Sequence, residues 1–265
     1  MQPIIIESDD FGMTIPISRA IITGLKTGVI STTNAQVTSP HFEMSAALAQ
    51  QHGITAMGLH LVLDKDHPIS QPLTIPSLVN PAGFCHAYQT LQTHPEQLAI
   101  ADVKREFQAQ IDRFLASGLQ LTHLTSHHYF VATLTPEIYA IVLELAQTYH
   151  VPVRNETAHL RPTEQAAYRL LMSEYAVLTT GTLITAQQTP YLTPQEIKRQ
   201  LTQKNLVGTP VILSHIGYLS AELRHKSRLT TNRLAEFNAL KTLKQTNYWD
   251  QFSWQLTDYS ELGAK

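Results

Sequence analysis

Cysteine is almost absent from this chain, since Cys85 is the only one among 265 residues. A lone cysteine excludes an internal disulfide and a cysteine-rich metal site, so a metal ion would have to be bound by histidine and carboxylate side chains. The chain contains thirteen histidines, most of which we expect to be surface or packing residues.

A strong charge of either sign is also lacking. Charged residues make up 15% of the chain and the formal net charge is −2, so no electrostatic field is expected to attract nucleic acid or an anionic membrane surface. No stretch approaches the ~20 apolar residues of a membrane span, and the start, MQPIIIESDD, lacks the features of a signal peptide. We therefore expect a cytoplasmic protein without a nucleic-acid or membrane partner.

Short apolar segments rich in β-branched residues alternate with amphipathic stretches, which is typical of βα units around a parallel sheet. Strands are predicted near 3–8, 30–37, 54–63, 121–126, 151–155, 176–184, 211–214 and 251–257. Helices are predicted near 16–28, 43–53, 95–118, 135–150, 193–205 and 230–245. The pattern predicts one domain over 1–265, built as a TIM-like (β/α) barrel, regular or irregular, with an open doubly wound sheet as the alternative. The proline-rich segment 64–96 predicts a long binding loop.

Polar side chains recur where the predicted strands end. In chain order they are Asp9, Asp10, His60, His127, His128, Arg154, Glu156 and His215. In a barrel the carboxyl ends of the strands meet at one rim, where active sites are found. Two histidines and a carboxylate suit a catalytic divalent cation, because they leave coordination positions for water and substrate. The neighbouring acid can then act as a general base, and His215 can protonate a leaving nitrogen.

Each of these residues also has a purely structural interpretation. A histidine in an apolar strand, such as His60, is more often a packed residue than a ligand. Arg154 and Glu156 can form an ion pair on one strand face. His123 is expected to be a partner of the site rather than a ligand. The joint position of the polar residues after successive strands favours the functional interpretation.

Five segments occur in the order SDDFGMT, GLHLVL, THLTSHHYF, VRNE and ILSHIGY. With NRLAEFNALKT and the terminal QLTDYSEL, they resemble the YdjC-like carbohydrate deacetylases, nearly from end to end. The resemblance implies a deacetylase-type (β/α) barrel. It also implies a hydrolase that removes an N-acetyl group from a small oligosaccharide, such as the chitooligosaccharide diacetylchitobiose.

Matched by motif position, the resemblance also implies roles for individual residues. The implied ligands of one divalent metal ion are Asp10, His60 and His127. Asp9 corresponds to the general base and His215 to the general acid, while Arg154 is expected to orient Asp9. Zinc is the default ion for these ligand types, and magnesium, manganese and cobalt stay open.

The chain departs from the family pattern at three places. Thr125 replaces an acid, Tyr129 replaces a third histidine, and Ser-His-Ile at 214–216 replaces Cys-His-Pro. Loss of the acid at 125 is expected to weaken metal binding. A non-catalytic sugar-binding or regulatory protein on a degenerate deacetylase scaffold is therefore the alternative.

A second alternative keeps the metal but changes the reaction, to phosphoester hydrolysis or sugar isomerisation. Against phosphoester hydrolysis, no glycine-rich phosphate loop and no Lys/Arg cluster is visible at the predicted rim. The oligomeric state stays open, a homodimer included. Trp249, Phe252 and Trp254 are expected in the core rather than on a contact surface.

Overall fold

The sheet is organised around its first strand, β1 (Gln2–Phe11), in which Ile4, Ile5 and Ile6 are completely buried. A parallel strand covered on both faces needs apolar residues at successive rather than alternate positions, as these isoleucines provide. The structure is a computed structural model that describes residues 1–128, 130–202 and 206–263.

Within these residues the sheet has seven strands and is surrounded by helices. The other strands are β2 (Thr32–Ala35), β3 (Ala56–Leu61), β4 (Gln120–Ser126), β5 (Leu183–Ile184), β6 (Val211–Ser214) and β7 (Trp254–Thr257). The helices are α1 (Ile15–Lys26), α2 (Phe42–Gln51), α3 (Tyr88–Thr93), α4 (Ile100–Ala116), α5 (Phe130–Thr133), α6 (Pro136–Thr148), α7 (Pro162–Tyr175), α8 (Pro194–Leu201), α9 (Ala221–Lys226), α10 (Thr231–Gln245) and α11 (Tyr248–Gln251).

All strand pairs are parallel, in the order β4-β3-β2-β1-β6-β5, and β7 pairs with the start of β1. Two single-residue bridges connect the ends of this sheet. Leu124 of β4 pairs with Val153, and Val153 pairs with Thr179 on the segment that leads into β5. The sheet is thus closed as an irregular barrel, and the predicted (β/α) fold is confirmed. The strand expected at 151–155 is reduced to one bridging residue.

The predicted helices correspond to α1, α2, α4, α6, α8 and α10, some of them with the expected caps. In α6, for example, the Thr135 hydroxyl accepts from the Ile138 amide and proline occupies the first turn. Helix α7 was not predicted. Tyr168 is its one buried residue among those described, and Leu170 is exposed, so this surface helix has little apolar periodicity.

The segment 64–96 is long, as expected, but it is held to the barrel by two acids of α4. Glu106 accepts from the amides of Ile69 and Ser70 at 2.9 Å each. Asp102 accepts from the Ser77 amide at 3.0 Å. Buried carboxylates that accept backbone N–H groups fix the path of a segment that has little regular structure of its own.

Of Trp249, Phe252 and Trp254, the three aromatic residues expected in the core, two lie there. Trp249 and Trp254 are buried, whereas Phe252 is 55% exposed, so the expectation of a core position was wrong for Phe252. Among the described helices, none has the length and apolar character required to cross a membrane.

Gly58 of β3 allows the His123 ring to enter the barrel. A Cβ atom at position 58 would lie 2.3 Å from His123 Nε2, and that ring is stacked on Tyr259 with centroids 3.6 Å apart. We expect Gly58→Ala to lower the free energy of unfolding by about 1–3 kcal/mol, the usual cost of overpacking. Denaturant unfolding would measure this loss.

The matched control is the double variant Gly58→Ala/His123→Ala, in which the clash is removed. Its loss of stability should be smaller than the sum of the two single losses, because the second substitution relieves the first. Strict additivity would contradict the proposed steric role of Gly58.

Candidate active site

The carboxyl ends of the parallel strands surround a cavity of about 560 Å³. Of the residues predicted for the site, Asp9, Asp10, His127 and His215 line this cavity. His60 is buried next to them, with its Nε2 3.6 Å from Asp9 Oδ2 and 3.9 Å from Asp10 Oδ1. The His60 and His127 ring centroids are 5.7 Å apart. Residues predicted from separate strands are therefore neighbours at one rim.

The two adjacent acids face the same cavity because β1 is irregular at its end. Neighbouring side chains of a regular strand point to opposite faces of the sheet. The pairing of β1 with β2 shifts register between Ser8 and Phe11, and Asp10 has a φ of 74° in the left-handed region. Aspartate tolerates this region better than most residues, and a bulge of this kind re-aims a side chain.

Asp9 is held by two buried donors. Arg154 donates from Nη1 to Asp9 Oδ1 at 2.7 Å and from Nη2 to Oδ2 at 3.0 Å. Asn34 donates from Nδ2 to the same Oδ1 at 2.6 Å. Arg154 also donates from Nε to Glu156 at 2.9 Å, so the ion pair considered as a structural alternative is present together with the contact to Asp9.

Asp10 is held by a different pair of donors. Gln36 Nε2 lies 2.8 Å from Asp10 Oδ1, and Arg233 Nη2 lies 2.5 Å from Oδ2. Burial by itself would raise the pKa of Asp10, but Arg233 and the nearby histidines His215, His127 and His60 outweigh it and hold the pKa well below its ordinary value. Asp10 is therefore ionised at neutral pH.

The hydrogen bonds of His60 leave one ring nitrogen available. Its Nδ1 lies 2.7 Å from the hydroxyl of Thr125, and that hydroxyl also contacts the Leu59 carbonyl oxygen at 3.4 Å. The Thr125 hydroxyl donates its hydrogen to the Leu59 carbonyl and therefore accepts a hydrogen bond from His60 Nδ1. In this arrangement His60 Nδ1 carries the ring proton and Nε2 carries the free lone pair. Burial lowers the pKa of His60 to about 4, which keeps the ring neutral at pH 7. Thr125 thus occupies the place expected for an acid and still contacts the ring.

His127 is oriented by Asp64, at the start of the 64–96 segment. His127 Nδ1 lies 2.8 Å from Asp64 Oδ1, and His128 Nδ1 lies 2.6 Å from Asp64 Oδ2. Burial would raise the pKa of Asp64, but hydrogen bonds from the two histidines hold it well below its ordinary value. Since a carboxylate only accepts, Nδ1 of His127 carries the proton and its Nε2 is left for another partner.

Asp64, His127 and His128 also form a group that could hold a metal ion, with ligand atoms within 4.8 Å of one another. The separations of 2.8 and 2.6 Å between Asp64 and the two rings are hydrogen-bond distances. Two ligand atoms of one tetrahedral zinc ion, each about 2.0–2.1 Å from the metal, lie roughly 3.4 Å apart. The distances favour Asp64 as a hydrogen-bond acceptor for both histidines.

His215 follows β6 and lines the cavity on the side of α10. Its backbone N–H donates to Glu236 Oε2 at 2.7 Å, and Oε1 of the same carboxylate accepts from the Leu192 amide at 3.1 Å. One buried acid of α10 therefore fixes the loop that carries His215. The same helix supplies Arg233, the partner of Asp10.

Several residues of the site were missed by the sequence analysis: Asn34, Gln36, Asp64 and Arg233. Asn34 and Gln36 had a detectable signal, since two amides at alternate positions in TTNAQVT share one strand face. The expected absence of a Lys/Arg cluster was wrong, because the cavity is also lined by Lys65, Lys226 and Arg228. These cations come from distant segments and form no local pattern. Tyr129 lies outside the described residues.

The donor set and the charge balance fit a divalent cation. The buried acids Glu7, Asp9, Asp10 and Glu156 are paired with the guanidinium groups of Arg154 and Arg233. When all are ionised the carboxylates exceed the guanidinium groups by two charges. Burial raises the pKa of Glu156 to about 7, as expected for a carboxyl group in such surroundings. A divalent cation would offset the excess, and carboxylate and imidazole ligands are available for it.

A family model described as YdjC-like protein matches residues 3–251. A carbohydrate deacetylase of Brevibacillus brevis is 32% identical over 262 residues, which cover 98% of this chain and 99% of the relative. A carbohydrate deacetylase of Clostridium beijerinckii is 24% identical over 259 residues, with 98% and 99% coverage. The crystal structure of a proposed cellobiose-phosphate cleavage protein from Enterococcus faecalis V583 superposes with a TM-score of 0.87, at 25% identity and 98% coverage of both chains.

Arg154→Met should strongly destabilise the fold, because three buried carboxylates would lose their shared cation. Removing one partner of a buried ion pair costs about 3–5 kcal/mol, and denaturant unfolding would measure the loss. The matched control is Arg161→Met, since Arg161 is 79% exposed in its ion pair with Glu164 and should contribute little. Similar small losses in both variants would show that the buried cluster contributes little to stability.

Proposed function

Because the chain belongs to the YdjC-like protein family, we propose that it is a metal-dependent carbohydrate deacetylase. It would remove an N-acetyl group from a small oligosaccharide such as a chitooligosaccharide. The observation that supports this most is the convergence of two acids and two histidines at one cavity: Asp9, Asp10, His60 and His127. The names of the curated relatives support the same activity.

We assign the metal ligands as Asp10, His60 and His127. In support, Asp10 is ionised, and His60 Nε2 lies 3.9 Å from Asp10 Oδ1, about 0.5 Å more than the separation of two ligands of one zinc ion. Each histidine has its Nδ1 engaged, by Thr125 or Asp64, so that Nε2 can be the ligand atom. A divalent ion held there would act as a Lewis acid towards the acetyl carbonyl and would acidify a water molecule.

The remaining steps belong to side chains of this protein. Asp9 accepts the proton of the attacking water, and its orientation is set by Arg154 and Asn34. His215 donates a proton to the amide nitrogen as the C–N bond breaks, since an amide anion is a poor leaving group. Acetate and the free amino sugar are the products.

A phosphorylated oligosaccharide is the second candidate substrate. Lys65, Lys226 and Arg228 line the cavity, and cations at this position would neutralise an anionic substituent of the sugar. The solved relative from Enterococcus faecalis is described in terms of a sugar phosphate. Deacetylation and a phosphate elsewhere on the sugar are compatible, so this alternative changes the substrate and not the reaction.

Zinc titration monitored by calorimetry distinguishes the assigned ligands Asp10, His60 and His127 from Asp64, His127 and His128, the group among the described residues whose ligand atoms all lie within 4.8 Å of one another. Asp10→Asn should abolish measurable zinc binding, whereas His128→Asn should leave the affinity nearly unchanged. Asp64→Asn should weaken binding by about 10–100-fold, the usual effect of losing a ligand's hydrogen-bond partner. If His128→Asn abolishes binding and Asp10→Asn does not, the ion is bound at Asp64, His127 and His128.

Acetate release tests the reaction itself. The zinc-loaded protein should release acetate from diacetylchitobiose or from its phosphorylated form, and the faster substrate identifies the preferred class. Asp9→Asn should lower kcat by at least about 100-fold, the contribution of a general base, while zinc still binds. The control Asp112→Asn makes the same change on the exposed face of α4 and should have no effect.

Saccharide binding without acetate release from either substrate would contradict the proposal. That result would favour the alternative of a sugar-binding or regulatory protein. Normal turnover by Asp9→Asn would instead contradict only the assignment of the base.

A further inference from the structure

Glu7 is a completely buried acid with no role in the reaction described above. It lies two positions before Asp9 in β1, so that the two side chains are near each other, and it is not among the residues that line the cavity. Its carboxylate has four donors within hydrogen-bond distance: His123 Nε2 at 2.6 Å, Arg154 Nη1 at 2.8 Å, Tyr259 OH at 3.0 Å and Asn34 Nδ2 at 3.1 Å.

Two of these four donors are shared with Asp9 through the same nitrogen atoms. Arg154 Nη1 contacts Glu7 Oε2 and also Asp9 Oδ1, at 2.8 and 2.7 Å. Asn34 Nδ2 contacts Glu7 Oε1 and Asp9 Oδ1, at 3.1 and 2.6 Å. A nitrogen that donates to two fixed carboxylates has little freedom to move, so Glu7 restrains both groups that orient Asp9.

The other two donors, His123 and Tyr259, also hold Glu7 in place. His123 and Tyr259 are stacked with an interplanar angle of 3°, and both are buried. Tyr259 lies in a short turn after β7, so the C-terminal segment contributes to this contact. The support for Asp9 thus extends from β2 and Arg154 through Glu7 to the end of the chain.

We propose that Glu7 is a positioning residue for Asp9, acting through Arg154 and Asn34. It does not touch the cavity and therefore makes no contact with substrate. The inference rests on the proposed function, in which Asp9 accepts the proton of water. A purely structural role for Glu7 would lower stability without changing turnover of the folded protein.

The first test is steady-state kinetics of Glu7→Gln, which removes the charge and keeps the shape. We expect kcat to fall by about 10–100-fold, as for a misplaced catalytic group, with KM within a few-fold of wild type. Zinc affinity should stay unchanged, because the four donors of Glu7 do not include Asp10, His60 or His127. Glu7→Asp keeps the charge on a shorter side chain and should give an intermediate kcat.

The control for stability is Leu145→Ala, which opens a cavity beneath α6. It should lower the melting temperature without changing kcat at the assay temperature. A wild-type kcat in Glu7→Gln would overturn the proposal. A joint fall of kcat and zinc affinity would also overturn it, since the whole site would then be disturbed. If Glu7→Gln does not fold, Tyr259→Phe removes one donor and keeps the ring, and a few-fold loss of kcat is expected.

A second test needs no turnover. In a double-mutant cycle measured by denaturant unfolding, Glu7→Gln and Asp9→Asn should have non-additive effects on stability because they share two donors. Additive effects would overturn the proposal. If the wild-type protein releases no acetate, the proposed function fails, and this cycle still decides whether Glu7 and Asp9 are coupled.

Discussion

The guanidinium group of Arg154 is the interaction on which the interior of this barrel depends. It is fully buried and contacts Glu7, Asp9 and Glu156, which come from two distant parts of the chain. Each carboxylate would cost several kcal/mol to bury alone. Arginine suits this position better than lysine, because its planar fork of donors can bind several carboxylates in fixed directions at once.

This charge cluster also explains why the candidate site can be well ordered. Asn34 and Gln36 alternate along one stretch of chain, and each holds one of the two adjacent acids. Asp64 and Thr125 each contact the Nδ1 atom of one histidine, so that both rings keep Nε2 for a further partner. Acids and rings that are held in place by fixed hydrogen-bond partners need little reorganisation during a reaction.

Much of the fold was predictable because the relevant signals are local. Apolar segments, helix caps and proline positions predicted six helices and the positions of most strands along the chain. The predicted parallel arrangement then placed Asp9, Asp10, His127 and His215 at one rim. The strand predicted at 151–155 was too long, since Val153 makes only the single-residue bridges that close the barrel. Helix α7 was missed because a helix with few buried residues has a weak apolar period. Lys65, Lys226 and Arg228 were missed as a cluster because segments far apart in the chain bring them to one cavity.

The sequence by itself determined the class of fold and the chemical types available to the site, because both depend on short-range periodicity and on residue identity at strand ends. The tertiary structure decided how these groups are used. The bulge at Asp10 turns two neighbouring acids towards one cavity, although a regular strand would separate them. Arg233, more than 200 residues from Asp10, became its partner only through the closing of the barrel. The partner of a buried charge is determined by which groups the folded chain brings within a few ångströms of it. A local sequence pattern does not contain this distance between residues that are far apart in the chain.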